Sequence, residues 1–415
     1  MAYLPHRRVR FRRTLEVPDR PHGRQRGSIL ILTTLSLVLL LGMAGLALDL
    51  GHAYVNKTRL QNALDAVALS AAISLNRFND VIVAENAGIA TFGEFEAADG
   101  NSELTAIADE DLIFEFSDTL IPFTPGAVDP RFVRVRVDNF ALQSWLVQVL
   151  GVDDKAVAAA AVSGPVPLQT VCNIAPLMVC VGTEADGSVD DDCSNGNCFG
   201  YNTETEIVLK TNARTARAAD WNVGPGNFQL IRLEGARGGN DIRHALAGGY
   251  ENCIEDGDTI RTEPGNTVGP TVQGINTRLG EYSGSPALAE LYPPDLVSDI
   301  RAAGVVPSAT AIFPQYLQAY ADEAFDHPDG EPERRMLAVP FGDCTTSIRG
   351  AGTLPLRGLG CFFLTRKTSQ QGSKQEIYGE LIDRCEAKGR PNPSAASLAG
   401  PYKIVLFKNP AGTDS

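Results

Sequence analysis

The sequence predicts an α+β fold: an N-terminal transmembrane helix that continues as a long outer helix, a small antiparallel sheet, and a disulfide-rich domain of mixed helices and strands. Three observations predict it. An uncharged apolar run lies near the N-terminus, apolar residues recur at helical spacing directly after it, and segments of alternating polarity follow further along. With 415 residues, 44 % of them apolar, the chain is long enough for several domains with a sizeable core.

The net charge of −14 is distributed unevenly along the chain. Residues 1–27 contain eight arginines and two acidic residues, a net charge of +6, and the remaining residues carry −20. A body this acidic argues against a general nucleic-acid-binding protein. We therefore expect no nucleic-acid partner.

The uncharged run Gly27–Leu48 contains 22 residues. Twenty helical residues span about 30 Å, the thickness of the hydrocarbon core of a bilayer, so the run predicts a transmembrane helix. The positive-inside rule places the basic segment in the cytoplasm and the acidic body outside. No second run of this length follows, which predicts a single-pass protein. The alternative is a cleaved signal peptide with a small-x-small site at 45–47, although the run is longer than a usual signal core.

The segment after the span predicts a continuation of the same helix. Residues 48–75 contain no proline and repeat apolar side chains at helical spacing. This stripe either packs on the chain's own domain or assembles with other subunits, and the pattern leaves both open. Its members are Leu60, Leu64, Val67, Ala71 and Leu75.

The order of basic segment, Gly-Ser, apolar span and GLALDLGHAYVNKTRLQNALDAVALSAA resembles the N-terminal region of TadG-like proteins of the Flp (tight-adherence) pilus assembly system. The resemblance covers residues 26–71 and implies a structural component of a bacterial pilus biogenesis apparatus. It implies an anchor in the inner membrane, a periplasmic body, and other pilus assembly subunits as partners, with the helix as a route to a homo- or hetero-oligomer. The matching positions are Gly27, Gly45, Ala47, Asp49, Gly51, Leu60, Gln61, Ala63, Asp65, Ala68, Leu69 and Ala71.

One feature of pilin precursors is missing. A prepilin-type processing site needs a glycine before the cut and normally a glutamate five residues after it. Gly27 is present, but Leu32 occupies the position of the glutamate. We therefore expect an anchored assembly component that prepilin peptidase does not process.

Residues 76–165 predict a small α+β domain with a pilin-like layout, in which the long helix lies on an antiparallel sheet. Alternating polarity predicts strands at 111–118 and 131–140, and a small apolar segment predicts a strand at 155–164. Helical spacing predicts a helix at 142–151 that ends at Gly151. Prolines 165 and 167 then indicate a boundary. The predicted division is a basic segment 1–27, a Tad-like helix 28–75, the small domain 76–165 and a cysteine-rich domain 166–415.

All eight cysteines lie in the last of these parts. An even number of cysteines in an exported domain predicts structural disulfides, and eight allow 105 pairings. Pairing within the close set at 172–198 is one expectation. A zinc site is the alternative, but the spacing of its best candidate pair is weak and no histidine lies nearby. The eight are Cys172, Cys180, Cys193, Cys198, Cys253, Cys344, Cys361 and Cys385.

The rest of the cysteine-rich part predicts an α+β or mainly β domain, because short apolar segments alternate with glycine and proline turns. Two helical stretches are predicted at 286–303 and 315–325, the first interrupted by a Pro-Pro pair. Predicted strands lie at 205–210, 227–235, 335–341, 360–366 and 402–409.

No motif for catalysis is present in the sequence. It lacks the HExxH, GxSxG and GxxxxGK[ST] patterns, so we predict no enzyme, no catalytic residue and no cofactor. Two segments resemble incomplete metal sites, Asp190–Asn195 for calcium and Glu281–Ser285 for a DxSxS-type site, and neither has a complete ligand set. We predict no metal site. The alternative function is a membrane-anchored periplasmic or surface binding module, such as a calcium-dependent adhesin.

Overall fold

The computed structural model describes residues 28–151, 154–182, 197–203, 205–211, 223–234, 238–255, 257–298, 312–369, 375–392 and 399–408. The chain divides into two compact units. The first unit lies within Met1–Asn56 and Ala141–Val157, and the second lies within Lys57–Phe140 and Ala158–Ser415. The predicted α+β class is confirmed.

The longest element is helix α1, Ser28–Phe78, which contains 51 residues. It contributes residues to both units. Its existence confirms the prediction that the apolar run continues as a helix through residue 75. Proline is absent from α1, and its small and straight-chain residues favour the helical backbone.

Four shorter α-helices follow α1 among the described residues. Helix α5 confirms the helix predicted at 315–325. Of the helix predicted at 286–303, the described residues form only a 3-10 turn at Pro286–Leu288, because the Pro293–Pro294 pair removes the amide donors that a helix needs. The other three helices were not predicted. The four are α2 Val81–Ala97, α3 Gly239–Ala247, α4 Val268–Thr277 and α5 Phe313–Ala321.

Fifteen strands are present among the described residues. Seven of the predicted strands are confirmed, by β1, β2, β3, β7, β10, β11 and β15. The strands are β1 Ile113–Ser117, β2 Phe132–Gln143, β3 Asp154–Cys172, β4 Val179–Cys180, β5 Asn197–Cys198, β6 Tyr201–Asn202, β7 Glu206–Lys210, β8 Cys253–Glu255, β9 Thr259–Arg261, β10 Met336–Gly342, β11 Thr353–Leu364, β12 Ile377–Ile382, β13 Arg384–Glu386, β14 Lys388–Pro391 and β15 Gly400–Phe407.

The first sheet has seven strands in the order β1-β2-β3-β15-β13, with β14 and β8 also paired to β3. The part of α1 that belongs to the second unit packs on this sheet, and the Gln61 side-chain amide donates to the Ala160 carbonyl of β3 at 3.0 Å. The β13–β15 pair is parallel, whereas β1–β2 and β3–β15 are antiparallel. A long helix on a largely antiparallel sheet is the arrangement that the sequence predicts.

Strand β3 passes through the boundary predicted at Pro165. Pro165 and Pro167 lie opposite Ile404 and Tyr402 of β15, so the C-terminal strand completes the sheet that residues 76–165 begin. A proline lacks an N–H group but keeps its carbonyl as an acceptor, and the Pro167 carbonyl accepts from the Asn392 amide at 2.7 Å. The predicted division at residue 165 therefore does not coincide with a break in secondary structure.

The second sheet has six strands in the order β4-β10-β11-β12-β7, with β9 paired to β11. Its β4–β10 pair is parallel, and the β10–β11 and β11–β12 pairs are antiparallel. Apolar side chains from this sheet and from α3 and α4 form a buried core. Its members include Leu177, Leu209, Leu246, Ile275, Val339, Phe341 and Phe362.

Two predicted elements were wrong. The helix predicted at 142–151 is absent, because Leu142 and Gln143 end β2 and only Val147–Leu150 form a 3-10 helix, which the left-handed Gly151 (φ 83°) ends. The strand predicted at 227–235 is also absent from the described residues. There, Leu230 and Ile231 form only isolated bridges.

The prediction of disulfides is confirmed. The bonds are Cys172–Cys253, Cys180–Cys344 and Cys361–Cys385, and Cys198 is also disulfide-bonded. Cys193 lies outside the described residues. Pairing within the 172–198 set was wrong for Cys172 and Cys180, because the register of β3 against β8 brings Cys172 opposite Cys253. Cys361 on β11 and Cys385 on β13 link the six-stranded sheet to the seven-stranded sheet.

Candidate functional site

The N-terminal half of α1 exposes apolar side chains. Among the described residues, one helix, Ile29–Phe78, is long and apolar enough to cross a membrane. Large apolar side chains along its first part are exposed, which is typical of a helix covered by lipid or by another protein. They include Ile29, Leu30, Leu35, Leu39, Leu41, Met43, Leu46, Leu48 and Leu50.

Asp49 lies between the exposed Leu48 and Leu50 in the sequence, but its own side chain is buried, with 2 % of the residue surface exposed. Its Oδ1 accepts from the Trp145 amide at 2.7 Å, and its Oδ2 accepts from the amides of Leu146 and Val147, each at 2.9 Å. Lys155 Nζ donates to Asp49 Oδ1 at 2.8 Å and to the Asp49 carbonyl at 3.0 Å. One carboxylate thus binds three successive amides and one ammonium group.

The electrostatics of this cluster stabilise the ionised carboxylate. Asp49 lies one residue beyond the apolar run 27–48, and its pKa is held below the ordinary value, chiefly by the hydrogen bond from Lys155 and then by the amides of Trp145, Val147 and Leu146. The Val147 amide begins the 3-10 helix Val147–Leu150, and the amides of Trp145 and Leu146 directly precede it. N–H groups at the start of a helix have no helical partners. Asp49 therefore acts as an internal cap for this turn. We call the set Asp49, Lys155 and Ser144–Gln148 the Asp49 cluster.

Two residues of α1 near Asp49, Gly45 and His52, contact the loop of this cluster. A Cβ atom at Gly45 would lie 3.0 Å from Leu146 Cβ, so glycine permits the close approach of the loop to α1. The ring of His52 stacks on Trp145 with centroids 4.2 Å apart. At Gly51 a Cβ atom would meet no other atom within 4 Å among the described residues, so packing does not explain that glycine.

The motif positions further along α1 are buried in the second unit. Leu60, Ala63, Ala68 and Ala71 have no exposed surface. Gln61 donates to Asp65 Oδ1 at 2.9 Å as well as to β3, and Leu69 is half-buried. The stripe predicted by the spacing is therefore packed within its own chain, which was one of the two alternatives. Gly27, the first motif position, lies outside the described residues.

Sequence reasoning missed the partners of Asp49. Trp145 and Lys155 lie 96 and 106 positions away from it, so no local pattern connects them. The available signal was a single carboxylate among apolar residues of a helix. Such a charge is costly unless specific groups compensate it.

The two segments that resemble metal sites differ in what the structure describes. Asp190–Asn195 lies outside the described residues. In the other segment, both the amide and the hydroxyl of Ser283 donate to the Glu281 carboxylate, and the Ser285 hydroxyl donates to Gln273 Oε1 at 3.3 Å. No group of three or more His, Cys, Asp or Glu side chains able to hold a metal ion occurs within the described part of the chain.

A cleft of about 400 Å³ in the second unit is lined by groups of both charges, among them Arg278, Arg334, Glu333 and Lys388. The buried Arg278 guanidinium donates to the carbonyls of Leu246 at 2.7 Å and Arg334 at 2.6 Å. Burial among neighbouring positive charge lowers the pKa of Arg278. These bonds hold chain segments together.

A family model matches the N-terminal part of the chain. Residues 27–74 match the profile of the Tad family, described as Flp pilus-assembly TadE/G-like. No curated protein and no solved structure matches the chain. The matched segment coincides with the apolar half of α1, Asp49 and the buried stripe. Residues 27–74 are thus similar to the TadE/G-like family of Flp pilus assembly, which confirms the resemblance for this segment at the level of TadE/G-like proteins.

Proposed function

We propose that this protein is a TadG-like structural component of a Flp-type (tight-adherence) pilus biogenesis apparatus, anchored in the inner membrane by α1. The observation that carries the proposal is the coincidence of the TadE/G-like match at 27–74 with a helix of apolar, exposed residues. The match supports a role related to pilus assembly. The exposed apolar surface of α1 supports a single-pass anchor.

The proposed topology has the N-terminus in the cytoplasm and the body in the periplasm. Eight arginines precede the apolar run, whereas Lys57 and Arg59 are the basic residues that come soon after it, which supports this orientation. The disulfides support an oxidising compartment for the body. Protease added to spheroplasts is expected to digest the body and to leave an N-terminal tag intact. Digestion of the tag with protection of the body contradicts this topology.

The proposed mechanism is non-enzymatic assembly. The span anchors the protein, the buried stripe of α1 holds the body to its anchor helix, and the disulfide-linked body contacts other pilus assembly subunits. Support comes from the family match and from a sequence without a recognised catalytic motif. The body is the larger share of the chain and offers the surface for such contacts.

Deletion of the gene tests the proposal. Pili counted by electron microscopy are expected to be lost on deletion and restored by the intact chain, while export of an unrelated protein stays unchanged. Unchanged pili and unchanged adherence contradict the proposal. Intact pili with lost adherence contradict it too, and favour a binding or adhesion module instead.

A further inference from the structure

The loop of the Asp49 cluster exposes two large apolar side chains. Trp145 is 53 % exposed and Leu146 is 46 % exposed. The neighbouring sequence 141–152 contains no charged residue. An exposed tryptophan next to an exposed leucine in an uncharged segment is unusual for a surface that only water contacts.

The position of this loop along α1 is defined by contacts within the first unit. Gly45 approaches Leu146, and His52 stacks on Trp145, so the loop lies beside the helical turns on either side of Asp49. The apolar run ends at Leu48, one residue before Asp49. One helical turn rises about 5.4 Å, so the loop lies at the level where the span would leave the hydrocarbon. Tryptophan is enriched at this level of membrane proteins, because its ring is apolar and its N–H group is polar.

The Asp49 cluster provides hydrogen-bond partners for the backbone amides of the loop, which a turn near lipid needs. Amide groups without partners are costly outside water. Asp49 accepts from the amides of Trp145, Leu146 and Val147, and Lys155 neutralises the carboxylate. The exposed tip therefore presents apolar side chains while its amides are bonded inward.

We propose that the loop Ser144–Gln148 is a second membrane contact, which places the side chains of Trp145 and Leu146 in the lipid–water interface beside the outer end of α1. The proposal rests on the proposed membrane span. The occupant of this surface is the lipid headgroup region, because the exposed Leu146 lies against Gly45 of α1, whose neighbours Leu46 and Leu48 are exposed apolar side chains as well. If a protein partner covers this surface instead, Trp145 stays unquenched by every lipid label.

Fluorescence of the full chain in lipid vesicles tests the proposal. The sequence contains two tryptophans, so Trp221→Phe leaves Trp145 as the single emitter. The purified variant is reconstituted in phosphatidylcholine–phosphatidylglycerol vesicles that contain nitroxide-labelled lipids. We expect blue-shifted emission and stronger quenching by headgroup-labelled lipid than by lipid labelled near the end of the acyl chain.

A matched variant separates this proposal from the proposed span. In a Trp145→Phe, Trp221→Phe background, Leu39→Trp places the single emitter in the middle of the apolar run. Quenching of the Leu39→Trp variant by acyl-chain labels, with no quenching of Trp145 by any label, overturns the loop contact and leaves the anchor intact. Absence of quenching in both variants overturns the anchor and the loop contact together.

A third variant tests the positioning role of Asp49. Asp49→Asn in the Trp221→Phe background keeps the size of the side chain and removes its charge. Weaker quenching of Trp145 by headgroup-labelled lipid is expected, because an amide side chain no longer attracts Lys155 or binds three amides as a carboxylate does. Unchanged quenching in this variant contradicts the part of the proposal that assigns the positioning to Asp49.

Discussion

Lys155 Nζ lies 2.8 Å from Asp49 Oδ1 although 106 positions separate the two residues in the chain. Asp49 belongs to α1, and Lys155 is the second residue of β3. Both side chains are largely buried, with 17 % of the Lys155 side chain and 3 % of the Asp49 side chain exposed. The Asp49 carboxylate also accepts from three backbone amides. The pair therefore attaches the β2–β3 connection to the helix at one level along α1.

We predict that Asp49→Ala opens this connection and that Lys155→Met opens it less. The alanine variant loses all acceptors for three amides, whereas the methionine variant keeps the carboxylate. Hydrogen–deuterium exchange of the Trp145 to Val147 amides should accelerate at least about tenfold in Asp49→Ala. A hydrogen bond to a charged group contributes about 1.5–3 kcal/mol, and about 1.4 kcal/mol corresponds to a factor of ten. Equal exchange in wild type and Asp49→Ala contradicts the assignment.

Shortening a side chain of the buried stripe of α1 should lower the free energy of unfolding by an amount that does not depend on protein concentration. Leu64 has no exposed surface, and Leu64→Ala should lower the free energy of unfolding by about 2–5 kcal/mol. Asn62→Ala, at an exposed position of the same helix, is the control and should change it by less than about 0.5 kcal/mol. Urea titration of the full chain in detergent at two protein concentrations measures both. A cost that disappears on dilution favours subunit assembly through the stripe instead.

The Cys361–Cys385 bond predicts a second stability effect. It closes a loop with a sequence separation of 24 and joins strands of the two sheets. The Cys361→Ala, Cys385→Ala double variant should lose about 3 kcal/mol, because the unfolded chain regains the entropy that the bond removes. Urea titration of both proteins without reductant measures the difference. Superimposable titration curves contradict a stabilising role for this bond.

The burial of Lys210 should make the free energy of unfolding depend on pH. Its side chain is buried, its Nζ donates to Asn266 Oδ1 at 2.7 Å, and burial lowers the pKa to about 8. The unfolded chain therefore binds more protons than the folded one from about pH 8 up to the ordinary lysine value near 10.5. Stability should rise with pH across this window by up to about 1.4 kcal/mol per pH unit.

Lys210→Met removes this dependence, and its stability relative to wild type should be greatest below pH 8. The expected result is a free-energy difference between the two proteins that shrinks as the pH rises from 8 to 10. Lys403→Met, at an exposed position, controls for the loss of one positive charge. A difference between wild type and Lys210→Met that stays constant over this range contradicts the prediction. Thermal unfolding at several pH values provides the measurement.

Local patterns account for the elements that the sequence predicted well. The apolar run before Leu48 and the stripe after it predict α1, since a period of 3.6 residues is visible within a short window. Strands β1, β2 and β10 follow from alternating or continuous apolar residues in the same way. The segment 142–151 has helical spacing as well, but Asp49 binds its amides and β2 includes its first residues, so tertiary contacts override the pattern.

By itself, the sequence determined the class of fold, the long apolar helix, the TadE/G-like segment and the presence of disulfides, because each of these is a property of composition or of neighbouring residues. Only the tertiary structure decided that β15 pairs with β3, that Cys361 pairs with Cys385, and that Asp49 binds a loop 96 positions away. These relationships join residues that are distant in the chain. Their energies depend on strand register and on burial, and the spacing of residues within a short segment does not determine either of these.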